Sequence, residues 1–141
     1  MVTFGKNMDT HRLDTPAFSM WKDEGIIRLT ILEPIITLQI ARDSMAARKR
    51  FDQGIPCPSL VDVRLVQDST LDARHFMRQP AAFENVTARA YLVQSERLEM
   101  TILLQKQVAP PPIPTRFFAA EEEALSWLRL CMDSVPPVRE A

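Results

Sequence analysis

Glycine is scarce in this sequence, and its scarcity excludes several kinds of catalytic and nucleotide-binding site. Gly5, Gly25 and Gly54 are the only glycines in 141 residues, and no two of them are close together. Loops that cradle phosphates need clustered glycines so that backbone amides can approach the anion. The turn that presents the serine of an α/β-hydrolase needs small flanking residues. The sequence therefore excludes a P-loop, a dinucleotide-binding fingerprint and a hydrolase nucleophile turn.

Metal-ligating residues are also few. Cys57 and Cys131 lie far apart, and neither belongs to a Cys-x-x-Cys pair. His11 and His75 make no metal-binding spacing with them. Nothing near either cysteine in the sequence would lower a thiol pKa, so both thiols are predicted to be unreactive. We expect neither a metal nor a nucleotide cofactor.

Long apolar runs and an excess of positive charge are missing as well. No run approaches the roughly 20 apolar residues of a membrane-spanning helix, and residues 1–12 lack the apolar core of a signal peptide. The net charge of −1 disfavours nucleic acid as a partner. One basic cluster comprises Arg42, Arg48, Lys49 and Arg50. Aspartates interrupt this cluster, so it is predicted to be a solvated helix face. Because neither a signal peptide nor a membrane span is indicated, we expect the protein to be cytoplasmic.

What the sequence contains is the alternation of a single α/β domain. Hydrophobic residues make up 46% and charged residues 25%, as in ordinary globular proteins. We predict a polar arm over residues 1–16, one domain over 17–132 and a tail over 133–141. Strands are predicted over residues 17–22, 26–32, 60–66, 88–93 and 115–118, and helices over 38–52, 71–79, 95–107 and 119–132.

This order predicts a mostly parallel five-stranded sheet, opened by a β-hairpin and covered by about four helices. Asp23, Glu24 and Gly25 are predicted to form a three-residue hairpin loop. Thr37 is predicted to cap the first helix and Ser95 the third. Residues 108–114 form a proline-rich connector.

Four segments together resemble the SpoIIAA-like fold, also called the STAS fold of anti-sigma factor antagonists. They are residues 60–64, 88–95, 112–118 and 121–128. The last two are the most specific, because proline, an aromatic strand and an Ala-x-x-Trp-Leu helix occur there together. The chain more closely resembles a group of small bacterial proteins of unknown function that are assigned to that fold. The resemblance implies the fold and little about activity, because one fold hosts many functions.

Antagonists of this fold carry a regulatory serine after the central strand, often within Asp-Ser, and the resemblance makes Ser69 and Thr70 candidate phosphoacceptors. The loop here is shorter than theirs, and its glycine-containing continuation is replaced by Leu71 and its neighbours. The spacing of Ser69 and Asp72 favours another role, a helix N-cap.

Ser69, Asp72 and His75 also lie three residues apart, as if they formed a catalytic triad. A triad additionally needs an oxyanion hole and a substrate cleft, and the sequence indicates neither. We therefore predict no catalytic residue and a protein that is not an enzyme.

The helix predicted over residues 95–107 has more apolar residues than one buried stripe requires. They are Leu98, Met100, Ile102, Leu103 and Leu104. Two accounts stay open at this point. Either the proline-rich connector folds back over the helix, or these residues face a partner, with a homodimer as the commonest case.

Two functions are consistent with the sequence. The first is a STAS-like interaction module that binds another protein or itself, with phosphorylation control as an option. The second is a small-molecule or lipid-binding domain with an apolar pocket near residues 95–107. A pocket of several hundred cubic ångströms with convergent polar groups would favour the second, and a flat apolar patch would favour the first.

Overall fold

The computed structural model describes residues 12–134, which form helices packed on both faces of a twisted sheet. The strands are β1 (Arg12–Asp14), β2 (Phe18–Asp23), β3 (Ile26–Ile31), β4 (Ile35–Ile36), β5 (Cys57–Asp62), β6 (Asp68–Ser69), β7 (Val86–Leu92) and β8 (Thr115–Phe118). The helices are α1 (Leu38–Asp52), α2 (Leu71–Met77), α3 (Ser95–Gln105) and α4 (Glu121–Ser134), with a 3₁₀ turn at Pro80–Phe83.

The main sheet has the strand order β1-β2-β3-β5-β7-β8, with β1, β2 and β3 antiparallel and the other pairs parallel. A mostly parallel sheet opened by a hairpin and covered by four helices is confirmed. The predicted number of five strands was wrong, because β1 pairs with β2 as a sixth strand. β1 lies inside the arm predicted over residues 1–16, whose first eleven residues are outside the described part, as is the tail from residue 135.

Two local predictions fail for identifiable reasons. The hairpin turn has two residues, because Asp23 still pairs with Ile26. Glu24 and Gly25 both have positive φ, 52° and 81°, which a type I′ turn requires at both central positions. The central strand spans Cys57–Asp62 instead of residues 60–66. A register shift between residues 57 and 59 lies at Pro58, which has no N–H for the ladder.

Helices α4 and α1 lie on opposite faces of the sheet, and each of them covers a different half. On one face, α4 packs on β5, β7 and β8 through its buried residues Ala124, Leu125 and Leu128. On the other face, α1 packs on the hairpin strands through Ala47 and Phe51. The face of β5, β7 and β8 opposite α4 is bordered by α3, which contacts β8 but has no buried residue of its own.

Candidate functional site

A groove of about 950 Å³ occupies this second face of β5, β7 and β8. Its floor includes Val61 from β5, Tyr91 from β7 and Phe117 from β8. These residues alternate along their strands with the residues that pack under α4, such as Ala90 and Phe118. The walls come from α1, α2 and the 3₁₀ turn on one side, and from α3 and residues 108–112 of the connector on the other.

The floor of the groove is apolar and partly aromatic. Tyr91 and Phe117 are register partners on neighbouring strands, and their rings stack with centroids 5.2 Å apart and planes 13° apart. Leu29 on β3, Val61 on β5 and Val63 just after β5 extend the apolar surface. The exposed edge of this surface offers a flat aromatic platform to an apolar molecule.

The α3 wall presents its polar side to the groove. Arg97, Thr101 and Gln105, spaced four residues apart, line the groove, and α3 has no buried residue. The apolar residues face away: Met100 is 59%, Leu103 51% and Leu104 55% exposed. Of the other two predicted interface residues, Leu98 is half-buried and Ile102 is 38% exposed.

The account in which the connector covers these apolar residues was therefore wrong. Residues 108–112 line the groove instead, and Val108 is itself exposed. The predicted cap of α3 was also wrong. Gln94 occupies the N-cap position and donates from Nε2 to the Arg64 carbonyl at 2.8 Å, while the Ser95 hydroxyl donates to Glu96. The helix ends at Gln105 rather than at residue 107.

Six arginines line the groove, against one acidic residue, Asp68. They are Arg48, Arg64, Arg74, Arg78, Arg89 and Arg97. Asp62 pairs with Arg64 at 2.6 Å and Asp68 with Arg74 at 2.9 Å. With the ion pair between Arg48 and Asp52, three carboxylates pair with the six arginines, so the groove has an excess of positive charge.

In the basic cluster predicted to be a solvated helix face, Arg42, Lys49 and Arg50 are exposed, but Arg48 is buried. Its side chain is 8% exposed, and its guanidinium donates to the carbonyls of Glu84 at 2.7 Å, Ala81 at 3.3 Å and Ala82 at 3.4 Å. Asp52, one turn later, lies 3.6 Å away. Burial lowers the pKa of Arg48, and the neighbouring Arg89 acts in the same direction. The i, i+4 spacing of Arg48 and Asp52 was the available sequence signal.

Arg89 on β7 lies beside Arg48, which belongs to the α1 wall of the groove. Its Nη2 donates to the Ala82 carbonyl at 3.0 Å, so both guanidinium groups share one acceptor. Its guanidinium carbon lies 5.4 Å from the centre of the Phe83 ring. Its Nε is buried and has no hydrogen-bond partner among the described residues.

Thr70, and not Ser69, caps α2, which corrects the predicted capping box by one residue. Thr70 Oγ1 accepts from the Ala73 amide at 3.3 Å and donates to Asp72 at 2.5 Å. Ser69 belongs to β6, where it pairs with Ile36. The helix starts at Leu71 as predicted, with Thr70 as its N-cap.

The Ser69 hydroxyl accepts from Arg74 Nε at 2.9 Å, and Ser69 and Thr70 are both half-buried. Nothing in these contacts tests phosphorylation, which stays a prediction. The triad geometry is not formed, since Asp72 bonds to Thr70 and His75 lies near Gln79.

Within residues 12–134, no three His, Cys, Asp or Glu side chains are grouped to hold a metal. His11 lies outside these residues. Burial raises the pKa of both the Cys57 and the Cys131 thiol. No helix in the described part is long and apolar enough to span a membrane.

Comparison with known proteins bears on the fold. Residues 20–131 match the family described as "Domain of unknown function (DUF7793)". The structure is similar to that of an uncharacterised DUF3478-family protein with a SpoIIAA-like fold from Shewanella loihica PV-4, with a TM-score of 0.59 and 16% identity. The match covers 79% of this chain and 92% of that one. No curated protein matches the sequence. The SpoIIAA-like fold implied by the resemblance is confirmed.

Proposed function

The chain belongs to the DUF7793 family of unknown function, and on that premise we propose that it is a non-enzymatic domain that binds a small, largely apolar molecule in the groove. The observation that carries the proposal is the groove itself, about 950 Å³ in volume, with an apolar floor and polar groups at its walls. Ligand sites in proteins have volumes of roughly 300–1,000 Å³ and the same mixture of surfaces. The expected cytoplasmic location stays a prediction.

The position of the groove adds support. Its floor is made from regular strands, and its aromatic pair, Tyr91 and Phe117, is held by the register of β7 and β8. A site whose floor lies on rigid elements needs little ordering when a ligand binds, so less of the interaction energy is lost. The α3 wall, which buries no residue, is the part that can adjust to ligand size.

Binding of an uncharged fluorescent probe, N-phenyl-1-naphthylamine, tests this proposal. We expect saturable fluorescence enhancement with the natural sequence. Val61→Phe adds bulk to the half-buried floor and should weaken binding about tenfold or more, a change of roughly 1.4 kcal/mol. Leu130→Phe, at an exposed position of α4, is the matched control and should leave binding unchanged. Absence of saturable binding, or equal loss in both variants, would contradict the proposal.

A second candidate is protein–protein interaction through the outer side of α3, with a second copy of the chain as the partner. Met100, Leu103 and Leu104 are each more than half exposed, and they lie close together on one helix. Such a cluster is unusual on a monomer and often marks an interface. A twofold arrangement is the commonest way to cover it.

Light scattering of single-residue variants tests this candidate. Because Leu103 is 51% exposed, Leu103→Glu should remain folded and should convert a dimer into a monomer. Leu130→Glu, 65% exposed on α4, is the control and should stay dimeric. A mass of one chain for the natural sequence at micromolar concentration removes the dimer.

Phosphorylation of Ser69 or Thr70 is a further proposal for control of the same domain. Arg74 donates to the Ser69 hydroxyl and to its carbonyl, so a phosphate on Ser69 would lie next to a guanidinium group. Replacement of each residue by Asp should alter ligand or partner affinity. Unchanged affinities together with no phosphopeptide from cells would dismiss the idea.

A further inference from the structure

Two of the arginines that line the groove lie side by side, Arg48 on α1 and Arg89 on β7. They differ in how many of their hydrogen-bond donors already have a partner. Arg48 donates to three main-chain carbonyls and lies near Asp52. Its role is to hold residues 81–84 against α1. Among the described residues, the Arg89 side chain makes one hydrogen bond, to the Ala82 carbonyl, and its buried Nε has no partner. Arg89 is therefore the residue here that has a hydrogen-bond donor left for a ligand.

Leaving a buried charged donor unsatisfied is costly, and a bound anion would remove that cost. Arg48 strengthens the attraction, because both guanidinium groups reach the same Ala82 oxygen. The carboxylate closest to Arg48 is that of Asp52. Its Oδ1 accepts a hydrogen bond from the Gly54 amide, and its Oδ2 lies 3.6 Å from Arg48. Ser59, the register partner of Arg89 on β5, lines the same part of the groove and adds a hydroxyl.

We infer that the groove ligand is an amphiphile with one anionic head group, a carboxylate or a phosphate, which Arg89 binds while the apolar body lies on Tyr91 and Phe117. The inference rests on the proposed function of the groove. Arg89 and Tyr91 are two residues apart on β7 and both line the groove. A head group at Arg89 therefore places its first apolar atoms on the aromatic pair. A guanidinium group forms two parallel hydrogen bonds with either a carboxylate or a phosphate.

The test compares three ligands with the same alkyl chain on the natural protein: decanoate, decyl phosphate and decanol. Calorimetry or displacement of the uncharged probe gives each dissociation constant. We expect the two anions to bind about tenfold or more tightly than the alcohol, as charge-assisted hydrogen bonds imply. The ratio between decanoate and decyl phosphate assigns the head group.

Two variants locate the head group. Arg89→Gln should remove the preference for the anions and leave decanol affinity unchanged, while Arg89→Lys should retain part of the preference through its charge. Arg129→Gln is the matched control, because Arg129 lies on α4 in an exposed ion pair with Glu24. Chemical denaturation of each variant confirms that it is folded at the assay temperature.

The outcomes separate this inference from the function on which it rests. Equal affinities for decanol and the two anions overturn the anionic head group and leave the apolar groove site in place. A preference that survives Arg89→Gln overturns the assignment to Arg89. Failure of all three ligands and of the uncharged probe overturns the groove as a binding site altogether.

Discussion

Helices α3 and α4 both lie beside β8, yet they relate to the sheet in opposite ways. α4 buries Ala124, Leu125 and Leu128 and closes its face of the sheet. α3 buries no residue, although its sequence is at least as apolar. Hydrophobic content therefore does not decide which helix becomes part of the core. On α3 the polar residues Arg97, Thr101 and Gln105 form the stripe that lines the groove, and Arg97 and Gln105 are exposed there.

The two faces of β5, β7 and β8 therefore differ. Helix α4 covers one of them with a packed cluster of small, aliphatic and aromatic side chains. The other face has an apolar floor that includes Val61, Tyr91 and Phe117, and arginine side chains line the groove above it.

The strongest test of this comparison is truncation of one leucine on each helix. Leu128→Ala removes a side chain with 0% exposure and should lower the free energy of unfolding by about 3 kcal/mol. Leu103→Ala, 51% exposed, should change it by less than about 0.5 kcal/mol. Urea denaturation followed by circular dichroism measures both. Similar losses in the two variants would mean that α3 is packed as tightly as α4.

The sequence specified the regular elements well where local signals were strong. The strand Thr115–Phe118 and the helix Leu38–Asp52 have the predicted bounds, because an aromatic run after prolines and a Thr cap with a following glycine mark their ends. β1 was missed because three residues show no periodicity. Its pairing with β2 is a tertiary contact that no local pattern encodes.

The sequence predicted an apolar pocket near residues 95–107 as one of two functions, but it could not predict the lining, because the lining comes from segments spread from β2 to β8. The sequence gives no signal for the α3 wall. Arg97, Thr101 and Gln105 repeat every four residues, but a polar stripe on an amphipathic helix ordinarily marks the side that faces solvent. The burial of Arg48 was missed because its partners are carbonyls of residues 81, 82 and 84, far along the chain.

The N-terminal residues of α2 and α3, two of the helices that line the groove, provide a second, smaller contrast. Thr70→Ala removes the hydroxyl that accepts from the Ala73 amide and should cost about 1 kcal/mol. Ser95→Ala should be close to neutral, because the Ser95 hydroxyl bonds to Glu96 and caps no amide. Thermal unfolding of both variants gives the comparison. A larger loss from Ser95→Ala would show that α3 is held by its cap after all.

The two cysteines lie on opposite faces of the sheet, and their ionisation gives the smallest expected effect, a change in how stability depends on pH. Cys57 belongs to the cluster under α1, and Cys131 packs against the cluster under α4. Burial raises the pKa of the Cys57 thiol, so the unfolded chain releases this proton first as the pH rises above about 9.0, the ordinary thiol value. Stability should therefore fall above that pH, by at most about 1.4 kcal/mol per pH unit for one proton.

Denaturation curves at increasing alkaline pH measure this slope. Cys57→Ala should flatten it, and Cys131→Ala should flatten it less, because Cys131 is only half-buried. An unchanged slope in Cys57→Ala would show that other groups account for the alkaline loss of stability.

The central claim is that a ligand enters the face under α3 and not the face under α4. A titration of the ¹⁵N-labelled protein with decanoate, followed by two-dimensional amide spectra, tests it most directly. We predict saturable shifts at Val61, Tyr91 and Thr101, which line the groove, and unchanged signals at Leu125 and Leu128, which are buried under α4. Saturable shifts confined to α4, or none in the groove at saturating decanoate, would contradict the account.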